Sequence, residues 1–265
     1  AVASPRAEFT IPLALLASYR GWTVVFSGQS PQPLIEAGLA FDWLVLTEPG
    51  VQGPRGRTVT IQPGWFQTLG VTDLPDFAAH QGAGAHFAFA SSGTTGIAKF
   101  ALSTEANRLE AMSDNWLFIA EGLSGRRGLS SLAAGTGWAF TTNFAFLLAG
   151  SSVVSLGAES SQLLPFLDLY HVDTLALTPV MVSRMLTNPD AAQFLGGVRD
   201  IRFGGSLVSD TLLRDFARIC PARFYLCYGA AEIGTCLVER WSPDTARAEG
   251  YVGRLSNPRI EAAFF

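Results

Sequence analysis

His86-Phe87-Ala88-Phe89-Ala90-Ser91-Ser92-Gly93-Thr94-Thr95-Gly96-Ile97-Ala98-Lys99-Phe100-Ala101-Leu102-Ser103 holds the one Ser/Thr/Gly-dense loop of this chain, and Lys99 closes it. Of the 18 lysines and arginines, Lys99 is the single lysine, so the other seventeen are arginine. Both flanks, 86–90 and 99–103, read as short strands, with aromatics two apart before the loop. The loop is therefore expected to run strand to strand. Gly93 and Gly96 permit positive φ and close approach, and small residues let backbone N–H groups and hydroxyls converge on an anion. Lys99 supplies a mobile point charge beside them. The residues read as a phosphate site, although a plain turn has the same composition. Spacing excludes the Walker loop, which needs Gly-x4-Gly-Lys-[Ser/Thr], and the dinucleotide fingerprint Gly-x-Gly-x-x-Gly is missing.

Outward from the loop, Ser103-Thr104 followed by Glu105 and the periodic Leu109, Met112, Trp116 and Ile119 predicts a capped helix. Toward the N-terminus, 13–19 reads helical, 23–26 strand, 33–40 helical and 43–46 strand; the Gly/Pro/Gln-rich passage 48–76 reads as a surface excursion containing strand-like 58–61. Toward the C-terminus, strands are expected at 128–132, 152–156, 174–177, 199–203 and 223–227. Helices are expected at 138–148, 162–170, 180–186 behind Pro179, and from a Ser209 cap to 219. Such alternation implies βαβ units and parallel sheets. Three strands run out into small or polar residues, at Thr178-Pro179, Gly204-Gly205-Ser206 and Tyr228-Gly229-Ala230-Ala231-Glu232, the last expected to break its strand. In open parallel sheets ligands collect at that edge.

Composition narrows the classes. A chain 48% hydrophobic and 15% charged builds a substantial core, as one large domain or two small ones. A net charge of −4 with scattered arginines offers no basic field, so no nucleic-acid partner is expected. Cys220, Cys227 and Cys236 lack a Cys-x-x-Cys pair and accompany only three histidines, which suggests reduced core thiols rather than a disulfide framework or zinc site. No apolar run reaches bilayer length, and the faint signal-like stretch from Arg6 is interrupted by Glu8, so a cytoplasmic location without membrane contact is expected. Nothing in the sequence bears on oligomeric state.

Three ordered motifs give the chain a resemblance to the large N-terminal domain of the adenylate-forming superfamily: acyl-CoA and aryl-CoA synthetases, nonribosomal-peptide adenylation domains and luciferases. Ser91 through Lys99 resembles that family's Thr-Ser-Gly-Thr-Thr-Gly-x-Pro-Lys, departing at Ser91 and Ala98. Gly204-Gly205-Ser206-Leu207-Val208-Ser209 is similar to Gly-Gly-[Ala/Ser]-x-[Leu/Val]-Ser, and Tyr228-Gly229-Ala230-Ala231-Glu232 to Tyr-Gly-x-Thr-Glu. The resemblance implies an α/β fold of stacked parallel-sheet βαβ subdomains, a single N-terminal core over 1–265 with subdomains at about 1–85 and 86–265, and no C-terminal lid domain.

The resemblance also implies ATP-dependent activation of a small-molecule carboxylic acid as an acyl-adenylate, followed by transfer to coenzyme A or a carrier-protein thiol. On that reading Ser91, Ser92, Gly93, Thr94, Thr95, Gly96 and Lys99 hold the outer phosphates, with Lys99, Thr94 and Glu232 the catalytic residues. Glu232 holds Mg2+, while Gly204, Gly205, Ser206, Tyr228, Gly229, Ala230 and Ala231 line the nucleotide. Trp138, Phe140, Asn143, Phe144 and Thr178 are placed in the acyl pocket by position, although an aromatic stripe at helical spacing is more often core. Ala231 departs from the family threonine, and Gly135-Thr136-Gly137 stands where many relatives carry a histidine or other aromatic. The chain ends before the family's ribose-gripping Asp, its hinge and its lysine-bearing lid, so a part of a longer ligase is expected. A naturally short member and a non-catalytic nucleotide- or acyl-binding module are the alternatives.

Overall fold

The computed structural model describes residues 1–28, 30–47, 57–62, 84–91, 98–119, 124–156, 163–244, 247–248 and 251–256. The first of two sheets is built from β1 (Val2–Ala3), β2 (Thr23–Phe26), β3 (Leu44–Leu46), β4 (Thr58–Thr60), β5 (His86–Ser91) and β6 (Lys99–Thr104), in the order β4-β3-β1-β2-β5-β6. Its strands are parallel except β6, which returns antiparallel along β5 with Ser91 opposite Lys99. The loop-bearing segment is thus a hairpin, as its flanks imply, and residues 92–97 lie outside the described residues. This sheet runs past residue 85 to Thr104.

Around it sit α1 (Ala7–Arg20), α2 (Gln32–Glu36) and α3 (Glu105–Ile119). Thr104 caps α3, its Oγ1 accepting from the Asn107 amide at 3.1 Å. The helix α1 starts before the expected 13–19, and the two-residue β1 ahead of it is too short to show any period. Each face of the sheet is sealed: Val24, Phe26, Phe87 and Phe89 pack with Ala14, Ala17 and Met112, while Val25, Leu44, Leu46 and Ala88 pack with Leu34.

The second sheet follows the order β13-β12-β11-β10-β9-β7-β8, from β7 (Arg127–Ser130), β8 (Ser152–Val154), β9 (Thr174–Leu177), β10 (Asp200–Phe203), β11 (Arg223–Ala230), β12 (Gly234–Trp241) and β13 (Arg254–Leu255). Strands β7 to β11 are parallel, and β12 and β13 form an antiparallel edge. The expected break at Tyr228 is therefore corrected: β11 continues to Ala230 with an irregularity at Tyr228/Gly229, then doubles back as β12. Gly229 makes the turn feasible, because a Cβ there would lie 2.1 Å from the Gly234 carbonyl oxygen.

The outer face of this sheet is covered by α5 (Leu163–Leu169), α6 (Pro179–Leu186), α7 (Ala191–Leu195) and α8 (Asp210–Ala217), which bury Leu175, Leu177, Ile201, Phe203 and Phe224. Thr178 and Ser209 cap α6 and α8 by accepting from the Met181 and Leu212 amides. The three cysteines are free thiols, and burial pushes that of Cys220 up to about 11. No helix among the described residues is long and apolar enough to cross a membrane.

Between the sheets runs α4 (Gly137–Leu148), capped by Thr136 and apolar on almost every side, as a helix covered on two faces must be. Phe140 and Phe144 face the first sheet, Phe140 lying 4.9 Å from Phe89 between ring centroids. Phe146 faces the second sheet, where its ring occupies the space a Gly128 side chain would need. A Cβ at Gly128 would stand 2.3 Å from that buried ring, closer than atoms tolerate. Gly128→Ala is therefore expected to cost about 1–3 kcal/mol, read as a fall of several degrees in Tm. Gly196→Ala, with nothing within 4 Å of the new Cβ, leaves Tm unchanged.

Candidate functional site

The two sheets meet at the C-terminal ends of their parallel strands. The Ala134 amide donates to the Pro5 carbonyl at 3.0 Å, and a Cβ on Gly135 would stand 2.8 Å from the Gly28 nitrogen. A side chain at position 135 would meet this backbone, a packing reason for the glycine that opens the Gly135-Thr136-Gly137 stretch. Gly137, at the head of α4, lies against Phe89, with 3.5 Å between its Cβ direction and the ring base. This contact places the start of α4 two residues from Ser91.

Lys99 is exposed at the first position of β6 and Ser91 is half-buried opposite it, so the hairpin presents its ammonium and its loop at the same sheet edge. Ser92, Gly93, Thr94, Thr95 and Gly96 lie outside the described residues.

On the second sheet, Gly204 directly follows β10, and its amide donates to the Leu177 carbonyl at 3.2 Å. A Cβ there would come within 2.9 Å of the Trp138 ring. Gly205 has φ +84°, a left-handed conformation suited to glycine, and its Cβ direction meets Thr178 Cγ2 at 3.4 Å. Trp138, Thr178, Gly204 and Gly205 thus converge, with Ser206 exposed beside them. Phe140 and Phe144 do not join this group, because both belong to the aromatic cluster on the first sheet. Asn143 is 3% exposed, with an Oδ1 that has no hydrogen-bond partner.

Tyr228 is 53% exposed, and Ala230 and Glu232 stand exposed in the β11–β12 turn. What fixes this turn is Arg108 of α3, a residue the sequence reading passed over. Only 6% exposed, Arg108 donates from Nη2 to the Ala231 carbonyl at 3.0 Å and from Nε to Ser103 Oγ, and its guanidinium lies 4.8 Å from the Phe89 ring centroid. One side chain therefore ties both strands of the lysine hairpin to the turn that carries Glu232. Burial lowers its pKa from the usual arginine value, yet a guanidinium keeps its charge throughout the physiological range. A signal was present in the sequence: Arg108 stands four residues before the buried Met112, on the apolar stripe of α3.

Buried donors without partners gather around α4. Trp138 Nε1, Thr142 Oγ1 and Arg202 Nε are all buried and have no hydrogen-bond partner among the described residues, with Thr142 and Arg202 at 1% and 4% exposure. Each such group costs about 1–3 kcal/mol when nothing pairs with it. Among the described residues no cluster of three or more His, Cys, Asp or Glu is placed to hold a metal. Glu232 is exposed and forms no ion pair among the described residues.

Residues 82–262 match the family model described as AMP-binding enzyme. No curated protein matches the chain. Among solved structures it resembles O-succinylbenzoate coenzyme A synthetase from Bacillus subtilis in complex with AMP, at 15% identity and TM-score 0.64 over 92% of this chain. It also resembles a malonyl-CoA ligase in a ternary product complex with methylmalonyl-CoA and AMP, at 18% identity and TM-score 0.71 over 95% of the chain. A third likeness is to the adenylation domain of a keto acid-selecting NRPS module bound to keto acyl adenylate, at 9% identity and TM-score 0.72 over 90%. These alignments cover 56%, 55% and 49% of the respective partners, so the chain spans about half their length. Such distant likenesses speak to the fold, and the family model, covering most of the chain, decides membership: the chain belongs to the AMP-binding enzyme family.

Proposed function

We propose that this chain holds the ATP and acid sites of an enzyme that activates a small carboxylic acid as its acyl-adenylate, for transfer to coenzyme A or a carrier-protein thiol. The observation that carries the reading is the Arg108 bridge, which sets the lysine hairpin beside the Tyr228–Glu232 turn at the edge where Trp138, Thr178 and Gly204 converge. In the reaction a carboxylate oxygen attacks the α-phosphorus of ATP, the bond to the β-phosphate oxygen breaks, and pyrophosphate leaves. A thiol then displaces AMP from the acyl carbon.

Lys99, with the amides and hydroxyls of Ser92, Gly93, Thr94, Thr95 and Gly96, receives the β- and γ-phosphates and stabilises the charge that grows on the departing pyrophosphate. Tyr228 and Gly204-Gly205-Ser206 flank the nucleoside, where the missing glycine side chains leave room for a flat base. Glu232 would hold Mg2+, which neutralises phosphate charge when bound. Thr178 and Trp138 border the acid. At position 231, where the family pattern has threonine, the alanine side chain offers no hydroxyl, and its carbonyl is already engaged by Arg108. The α-phosphate loses one donor there.

Two substitutions separate binding from scaffolding. Lys99→Ala removes an exposed charge and is expected to raise the Kd for Mg·ATP about tenfold or more with Tm unchanged. Calorimetry checks this, and an equal affinity in the variant would show that the loop does not bind phosphate. Arg108→Met strands the Ala231 carbonyl and leaves the Ser103 hydroxyl only its bond to the Phe87 carbonyl, so Tm falls by several degrees and Mg·ATP binding weakens with it. Pyrophosphate release across a panel of aliphatic and aryl acids tests the activity itself, and silence toward every acid from the full-length enzyme sinks the enzymatic reading.

A further inference from the structure

The inner face of the second sheet carries polar residues in rows across its strands. Gly128, Thr174, Asp200 and Arg223 pair in one row, and Ser130, Ala176, Arg202 and Tyr225 in the next. Thr178 and Gly204 continue the series one row further toward the strand ends. Ile201 and Phe203, which alternate with these residues, belong to the outer core, so Arg202 and Gly204 share the face covered by α4.

The helix crosses these rows diagonally. Trp138 lies over Gly204 and Phe146 over Gly128, and eight helical residues span about 12 Å where four strand residues span about 13 Å. Thr142, four residues from each, falls on the same stripe and therefore over the middle row, toward Ala176 of β9, with Arg202 one strand away. Along this stripe three buried hydrogen-bond donors are unbonded: the indole N–H of Trp138, the hydroxyl of Thr142 and the guanidinium Nε–H of Arg202. Among the described residues Arg202 forms no ion pair, and the nearest acid on its strand, Asp200, is already engaged by both Arg223 and Arg126. The unpartnered atom of Asn143 is an acceptor and lies off the stripe.

We infer that Arg202, Thr142 and Trp138 bind the second carboxylate of a short dicarboxylic acid, which rests on the acid-activating reading above and names its substrate class. Three unbonded donors and a buried cation call for an anionic acceptor, and the planar guanidinium matches a carboxylate. The reacting carboxylate belongs at the strand ends, by Gly204 and Thr178. Arg202 sits one row deeper, about 7 Å along the strand, so it meets the far end of a short acid and not the end that is activated. A monocarboxylic acid of equal length brings a methyl group to the same donors and leaves them unbonded.

The test is calorimetry on the chain with succinate and with butyrate, which share a four-carbon backbone and differ in the distal group. Wild type is expected to bind succinate at least about tenfold more tightly, Arg202→Met to lose that preference, and Trp138→Phe to reduce it severalfold. Arg202→Met should also melt at or above the wild-type temperature, because it removes a buried charge that has no counter-ion among the described residues. Equal binding of the two acids by wild type, or a preference that survives in Arg202→Met, overturns the inference. Titration of wild type with Mg·ATP separates the two readings: normal nucleotide binding without succinate preference leaves the adenylate-forming function standing and removes the dicarboxylate. Succinate preference that depends on Arg202, without nucleotide binding, does the reverse.

Discussion

The buried guanidinium of Arg108 is the contact on which the arrangement of the site depends. It lies on the Phe89 ring, bonds to Ser103 and reaches across to the Ala231 carbonyl, so three separate pieces of chain share one rigid, planar group. Phe89 is itself fully buried and stacked on Phe26 at 5.3 Å. Its ring base also receives Gly137 at the head of α4. The strand that delivers the loop to the edge is therefore locked to the central helix on one side and to the Glu232 turn on the other. A lysine would not serve equally at 108, since a point charge on a flexible stem cannot lie flat on a ring while bonding in two directions.

The spacing between layers is set by missing side chains as much as by present ones. Gly128 admits Phe146, Gly204 admits Trp138, Gly135 admits the backbone near Gly28, and Gly229 lets β11 fold back on β12. Two of these contacts, at Gly128 and Gly204, hold the two ends of one face of α4 against the second sheet. This face of α4 therefore cannot tilt without driving a ring into backbone.

Local chemistry made much of this legible in the sequence. The caps at Thr104 and Ser209, the strand-to-strand loop and the parallel β7–β11 alternation each follow from residues within a few positions of one another. The antiparallel edge at β12 and β13 was not legible, because Tyr228-Gly229 reads equally as a strand end and as a bulge; the partner that decides between them lies several residues on. Position along a helix likewise did not reveal which aromatic faces which sheet. Trp138 and Phe140 are two residues apart and turn to opposite layers, one toward Gly204 and one toward Phe89. Arg108 and Arg202 were hidden for a related reason: a lone arginine in an apolar element looks like an exposed interruption until tertiary contacts bury it.

The inner face of the second sheet shows why chemistry belongs at one end. At the N-terminal row Asp200 is closed by Arg223 through two bonds of 2.6 and 2.9 Å and by Arg126 at 3.6 Å, with Asp173 completing the group at 3.5 Å from Arg126. Charge there is balanced within the protein, which is what a buried ion pair requires to avoid a net penalty. One row on, Arg202 is buried with no ion pair among the described residues, and at the strand ends Gly204 and Gly205 have no side chains. Polar satisfaction therefore falls along the strands from a sealed end to an open one. Buried charges are thus neutralised at one end of this face, and buried donors without a partner among the described residues lie toward the other, the edge that the Arg108 bridge holds in place.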